Sequence, residues 1–423
     1  MKRSAEIIAV GTELLLGNIV NSDAQMLSRQ LSELGIDVYH HTVVGDNPER
    51  LKDALTIARD RADIIITTGG LGPTCDDLTK QTIAEMFGKK LILHEDIVRE
   101  LEEFFRYLDP EHPMPRNNIQ QAMLPEGCTV LANSCGTAPG CAFESGESVV
   151  IMLPGPPKEC ETMWHTGARP YLEKLEDSVI LSRNIMLFGR GESSIEEQLR
   201  PMMLSMKNPT LAPYAGGGII RLRVTAKAKS VSDAEAMLAP VVDELCRTLG
   251  SHVFGVDIDG LEYAVVDALR RRGLTMAAAE SCTGGLISKK ITDVAGCSDV
   301  YLGSITAYHN SVKTGLLSVA ADTLERFGAV SKETALEMAR GVRRATGADI
   351  AVSTTGIAGP GGGTPEKPVG TVYIALSTPD GDFCRLINAR GDRERVRAMS
   401  ANHALDMTRR YLTGLNVEGS RKA

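Results

Sequence analysis

This sequence predicts an α/β protein of two three-layer domains joined by a small α+β middle segment, and three observations carry that prediction. Its 423 residues exceed what one hydrophobic core organises, so two or three domains are expected. Towards both ends, short apolar runs of strand length alternate with amphipathic stretches of helical period, the pattern of parallel sheets covered by helices. Between them lies a segment with one alternating strand and one long helical stretch, introduced by the turn Gly216-Gly217-Gly218. The boundaries read from these shifts are 1–172 and 173–255, with a third segment beginning near Leu261.

In chain order, residues 6–10 read as a strand and 21–34 as a helix with Ala24, Leu27, Leu31 and Leu34 on one face. Residues 38–44 are a strand, 51–62 a helix, and 63–68 a buried strand ending in glycines. The middle segment supplies a strand over 219–228 and a helix over 233–249. Arg221, Arg223, Lys227 and Lys229 alternate along that strand and read as a solvated face. In the last segment an apolar run over 274–279 leads into Glu280-Ser281-Cys282-Thr283-Gly284-Gly285, and Leu286, Ile287, Ile291 and Val294 then take up helical spacing. A further strand over 349–353 leads into the glycine loop 356–363.

Composition bounds the function. A net charge of −8 without a long basic run makes general nucleic-acid affinity unexpected. The nine cysteines include no Cys-x-x-Cys pair, which argues against a zinc ribbon and a secreted disulfide framework. No apolar stretch reaches membrane-spanning length, and Met1-Lys2-Arg3-Ser4 runs straight into a strand, so a cytoplasmic location is expected.

Two loops carry candidate chemistry. Ser281 stands where a strand hands over to a helix, beside amides suited to an oxyanion or a phosphate. Tyr308 and Lys313 follow at short distance, and a lysine held neutral by burial can take a serine proton where no histidine does. A helix N-cap serine with turn glycines is the alternative reading. Cys282 reads as a small packing residue, and His309 is the only histidine near the serine. In the first domain, Gly69, Gly70, Gly72, Thr74, Asp76, Asp77 and Thr79 form a second loop after a strand. Its glycines allow close approach of a phosphate, and its paired carboxylates can hold a divalent cation. Here a tight turn with acidic residues at a helix start stays open.

The stretch 279–285, Ala307 and Tyr308 with Lys313, and 354–370 resemble the C-terminal domain of the CinA (competence/damage-inducible) family, which is similar to PncC-type nicotinamide mononucleotide deamidases. The resemblance runs over about 259–413. It implies catalytic roles for Ser281, Tyr308, Lys313, Thr355 and Arg395, with Lys313 as the base directly or through Tyr308. Substrate would be bound by Thr283, Gly284, Gly285, Asn310, Gly356, Ile357, Ala358 and Gly359, with no cofactor. Likewise 11–17, the 69–79 loop, 136–140 and 153–157 look like the family's N-terminal molybdopterin-binding fold. That likeness implies metal-dependent hydrolysis of ADP-ribose, with a divalent ion of Mg or Co type on Asp76 and Asp77. Glu13 and Asn21 are further candidates there, Asn21 more plausibly as a helix N-cap. The middle segment corresponds to the family's KH module but lacks a Gly-x-x-Gly clamp between helices, so RNA binding does not carry over. A homodimer is implied by the resemblance alone. Two other classes stand beside this reading: a molybdopterin-binding protein of cofactor synthesis, and a non-catalytic competence or DNA-damage factor.

Overall fold

The computed structural model describes residues 3–175 and 179–418. It divides into two compact units, Met1–Leu181 with Ala226–Ala236, and Ser182–Thr225 with Met237–Ala423.

The first unit runs β1 (Ser4–Val10), α1 (Thr12–Leu15), α2 (Ser22–Glu33), β2 (Asp37–Val44), α3 (Pro48–Arg61), β3 (Ile64–Thr68), α4 (Thr79–Met86), β4 (Leu91–Leu93), α5 (Glu95–Leu108), β5 (Met123–Pro125), β6 (Thr129–Leu131), β7 (Gly140–Ser145), β8 (Ser148–Leu153), α6 (Pro157–Met163) and α7 (Arg169–Lys174). Its main sheet has the order β2-β1-β3-β8-β7-β6. The first four strands are parallel, and all five residues of β3 are buried, as a strand covered on both faces requires. Leu51, Leu55 and Ile83 pack one face; Leu27, Leu31 and Trp164 pack the other. Asn21 caps α2 by accepting from the Ala24 amide, so the capping reading of this residue is the one the geometry favours. The all-parallel expectation fails at β7 and β6, which run antiparallel. Only Gly146 and Glu147 separate β7 from β8, and Gly146 has a φ of 61°. A two-residue turn can only make a hairpin.

The middle segment follows as β9 (Val179–Phe188), α8 (Glu192–Ser205), β10 (Thr210–Gly216), β11 (Ile219–Ala228), α9 (Val231–Leu249) and β12 (Val253–Val256), with sheet order β10-β11-β9-β12. This β-α-β-β-α-β arrangement is the split βαβ pattern. On β11, Ile220, Leu222 and Val224 point inward, while Arg221 stacks over Tyr214 and Arg223 bonds Ser182.

The last segment contains α10 (Leu261–Arg272), β13 (Met276–Glu280), α11 (Leu286–Thr292), β14 (Tyr301–Thr306), α12 (Asn310–Leu317), α13 (Ala321–Phe327), α14 (Lys332–Thr346), β15 (Ile350–Gly356), β16 (Thr371–Thr378), β17 (Gly381–Asn388) and α15 (Arg393–Leu412). The sheet order is β14-β13-β15-β16-β17, with β13 parallel to both neighbours and the last two strands antiparallel. Helices α10, α11 and α15 cover one face, and α14 with α12 covers the other. The chain leaves β13, returns as β14 on one side, then crosses to β15 on the other. The carboxyl ends of these strands are where such sheets take ligands. The expected fold class, two α/β domains around a small α+β segment, is the observed one. No helix among the described residues is long and apolar enough to cross a membrane.

Candidate active site

Ser281 follows the last residue of β13 and is 8% exposed. Its amide donates to the Thr354 carbonyl at 3.0 Å, which ties the loop to β15. Gly284 and Gly285 then adopt φ of 58° and 91°, a left-handed pair that turns the chain into α11. The helix N-terminus is not the open anion site that the sequence suggests. The fully buried Glu280 carboxylate accepts from the Ile287 and Ser288 amides at 3.1 and 2.9 Å, and the Leu286 amide donates to the Thr283 carbonyl. The amides of Gly284 and Gly285 have no acceptor among the described residues, so donors for an oxyanion are in the turn rather than the helix.

Lys313, in the first turn of α12, is 1% exposed. Its Nζ donates to the main-chain carbonyls of Ala307 and Tyr308 at 2.8 and 3.1 Å. Burial lowers its pKa below the ordinary lysine value, and the Cys282 thiol is near enough to oppose that weakly. Two main-chain carbonyls take two of its N–H groups, and burial favours the neutral amine over the ammonium.

Other candidates are placed differently from the sequence expectation. Tyr308 is 61% exposed and meets Lys313 only through its main-chain carbonyl; its hydroxyl accepts from Arg393 Nη2 at 2.9 Å. A lysine–phenol–serine relay is therefore not formed. The Thr355 hydroxyl donates to the Ala329 carbonyl, on the α14 side of the sheet. Its neighbour Thr354, pointing the other way, bonds the Thr283 hydroxyl at 2.7 Å. Strand alternation decides between the two threonines. Arg395 likewise turns away from the serine loop. Its side chain lines a cavity of about 850 Å³ with Gly217, Ile219 and Met399. The arginines two positions either side brace the loops instead: Arg397 donates through Nε and Nη2 to the Thr283 carbonyl at 3.2 and 2.8 Å, and Arg393 Nη1 donates to the Gly359 carbonyl at 2.8 Å. Residues 393 and 397 share a helix face, and 395 does not.

Gly356 lies hard against β16, where an added Cβ would sit 2.5 Å from Val372 Cγ2. Ile357 pairs through its main chain with Thr371 and Gly370, Ala358 is buried, and Asn310 is exposed at the head of α12. Cys282 is buried, and its thiol is pushed up to about 12 by that burial, so it is no competing nucleophile. His309 caps α12, its Nδ1 accepting from the Ser311 amide.

The second loop closes β3. Gly69 donates to the Leu153 carbonyl, and a Cβ there would meet the Val10 carbonyl oxygen at 2.1 Å. A Cβ on Gly70 would meet Thr79 Oγ1 at 2.1 Å. That hydroxyl is buried and has no partner. Asp77 Oδ2 accepts from the Thr74 amide and hydroxyl at 2.9 and 2.6 Å, and Gln120 Nε2 holds the carbonyls of Gly72 and Thr74. Asp76 is exposed and, among the described residues, its carboxylate accepts a hydrogen bond from the Cys75 thiol alone. Glu13, on α1, is exposed and folds back over Gly11. Among the described residues no three His, Cys, Asp or Glu side chains are grouped to hold a metal ion.

Family models match along the chain: a probable molybdopterin binding domain over 6–174, the damage-inducible protein CinA KH domain over 182–255, and the CinA C-terminal domain over 258–412. A CinA-like protein of Kosmotoga olearia is 48% identical over 411 residues, covering 97% of this chain and 99% of that protein. The chain belongs to the CinA family. A CinA-like protein of Dictyoglomus thermophilum is also 48% identical, over 97% of this chain and 99% of its own length. Among solved structures, a competence/damage inducible protein from Agrobacterium tumefaciens is 39% identical, covers 36% of this chain and 93% of its own, and superposes with a TM-score of 0.35.

Sequence reasoning missed three residues of this CinA chain's loops: Glu280, Arg397 and Lys80. Lys80, in the first turn of α4, is 1% exposed and donates to the carbonyls of Gln120 and Gln121 at 2.8 and 3.0 Å. Burial pushes its pKa down to about 8. A glutamate closing an apolar strand was a visible signal; Lys80 and Arg397 had none, because their partners lie 40 and 114 positions away.

Proposed function

We propose that the C-terminal domain is an amidohydrolase that converts nicotinamide mononucleotide to nicotinate mononucleotide and ammonia. The observation that carries this reading is a buried lysine, without a carboxylate partner among the described residues, whose Nζ donates to two main-chain carbonyls and which lies within electrostatic reach of Cys282, the residue after the strand-end Ser281. In this mechanism the Lys313 lone pair takes the Ser281 hydroxyl proton as Oγ attacks the carboxamide carbon. The Gly284 and Gly285 amides receive the developing oxyanion. Collapse breaks the C–N bond, and the Lys313 ammonium returns its proton to the departing amine, releasing ammonia. Water, deprotonated by the same lysine, then cleaves the ester to nicotinate mononucleotide and free Ser281. Arg393 and Arg397 hold the 281–285 turn, the 356–363 loop and Tyr308 in register, with Asn310 and Tyr308 at the exposed mouth. No metal is called for.

The N-terminal domain suits a pyrophosphate, as in hydrolysis of ADP-ribose to AMP and ribose 5-phosphate. The Gly69–Gly70 turn and the orphaned Thr79 hydroxyl support a phosphate there. Asp76 and the free Oδ1 of Asp77 would hold a divalent cation, which supplies charge neutralisation and takes its remaining ligands from phosphate and water. Both substrates derive from NAD, and a cytoplasmic homodimer recycling them fits the reading.

The test is ammonia release from nicotinamide mononucleotide by purified protein, with and without EDTA, beside Ser281→Ala. Turnover that survives EDTA and disappears in the variant supports the amidohydrolase. Absence of turnover in the wild type defeats it, and AMP release from ADP-ribose with divalent metal then decides the first domain separately.

A further inference from the structure

Away from both loops, the second unit encloses a cavity of about 420 Å³ with a cationic wall. Arg385 of β17 and Arg410 of α15 reach it, together with His252 and His403. One buried carboxylate, Asp406, serves three guanidiniums, with Arg409 at 2.7 Å, Arg410 at 2.8 Å and Arg385 at 3.6 Å. Three guanidiniums stand against the buried Asp406 and the exposed Glu418, which leaves the wall net positive. Among the described residues Arg385 Nε is buried without an acceptor, although its Nη2 donates to the Val417 carbonyl and its Nη1 lies 3.4 Å from His403 Nδ1. His252 Nδ1 donates to the Phe188 carbonyl, which can only accept, leaving Nε2 for another partner. Burial above all, then Arg385 and Arg410 against the opposing pull of Asp406, pushes the His403 imidazole down to about 4.

Buried polar groups are rarely left unpaired, and buried charge is rarely left unmatched. We propose that this cavity binds a small molecule through a phosphate group, with Arg385 and Arg410 as the clamp and the two histidines beside them. Guanidiniums pair with phosphate oxygens through parallel N–H bonds, and a phosphate offsets the net positive wall. The volume leaves room for an organic portion beyond the phosphate.

The probe is inorganic phosphate, added to the full chain with ring-labelled histidines and followed by NMR. His252 and His403 are assigned by His252→Gln and His403→Gln, which makes the readout local to this cavity and blind to the two glycine loops. Expected are saturable shifts of both imidazoles at millimolar phosphate, absent with chloride at equal ionic strength, and an affinity lowered about tenfold or more, about 1.4 kcal/mol, in Arg385→Gln. Should that variant not fold, Arg385→Lys, which keeps the charge and lacks the fork, is read the same way. Shifts that do not saturate, that chloride reproduces, or that survive the Arg385 substitution with unchanged affinity overturn the proposal.

Discussion

In the N-terminal sheet β1 lies between β2 and β3, and in the C-terminal sheet β13 lies between β14 and β15, so both domains bring a central strand and a crossover to the same end. They load different strands. The first domain places its glycine loop after the flanking β3; the second places Ser281 after the central β13. Each also buries a lysine in the first turn of a helix and spends its N–H groups on two main-chain carbonyls. What surrounds the amine separates them. Lys313 adjoins the serine turn, whereas Lys80 supports Gln120, whose side chain in turn grips the carbonyls of Gly72 and Thr74. On the proposed function, Lys313 acts as base for the hydroxyl of the serine turn. Elsewhere the same arrangement is a loop support.

The widest separation is expected in turnover. Lys313→Ala should lower kcat for ammonia release about 10³-fold, within the range for loss of a general base, whereas Lys80→Met should leave it within about twofold. The wild-type rate should rise with pH as the Lys313 ammonium, depressed by burial, gives up its proton, and this acid limb should vanish in the alanine variant. Equal losses in the two variants would break the comparison.

Lys80 should show itself in stability instead. Its folded pKa is pushed down to about 8 from the ordinary lysine value of 10.5, so between those values the unfolded chain holds a proton that the folded one has lost. Stability therefore rises with pH across that window, and the burden is full below it. Unfolding by guanidinium at pH 7.5 and 9.5 should show the wild type gaining about 2 kcal/mol more than Lys80→Met over that interval. A parallel pair of curves would mean that Lys80 is not desolvated as its burial implies.

Much of this was legible in the sequence for a physical reason: local pattern carries local structure. Alternating apolar runs announced both sheets, and the glycines after β3 and β13 marked their loops. Three things were not local. The β7–β8 hairpin rests on Gly146 alone within an otherwise continuous strand pattern. The choice among Arg393, Arg395 and Arg397 depends on the helical phase set where Asp392 caps α15. Lys80 looks like any surface lysine until a segment 40 residues later covers it. Glu280 was legible and overlooked: a carboxylate at the end of a buried strand needs donors, and the nearest are the next helix's amides.

The arginine phase gives a sharper and smaller test. Arg397→Ala removes both bonds to the Thr283 carbonyl and should cost about tenfold in kcat/KM, about 1.4 kcal/mol, by loosening the serine turn. Arg395→Ala, whose side chain lines the other cavity, should stay within about threefold. The reverse order would restore the role that the family resemblance gives Arg395.

The paired aspartates of the first domain should divide in the same manner, with the smallest effect. Asp77 is tied to the Thr74 amide and hydroxyl, while Asp76 is exposed and free of such bonds. Asp77→Ala should therefore lower both AMP release from ADP-ribose and stability, the latter by about 1 kcal/mol, the net worth of a hydrogen-bonded turn carboxylate. Asp76→Ala should lower AMP release alone and leave the unfolding midpoint in place, because its carboxylate supports no part of the loop. Ammonia release should be unaffected by either change, since the serine turn and Lys313 belong to the other α/β domain. If both variants lose stability equally, the two carboxylates are one structural unit and the cation must be sought elsewhere. If neither affects AMP release, the first domain's loop binds its phosphate without the cation these residues would supply, and its kinship with the lysine-supported turn described above becomes one of shape alone.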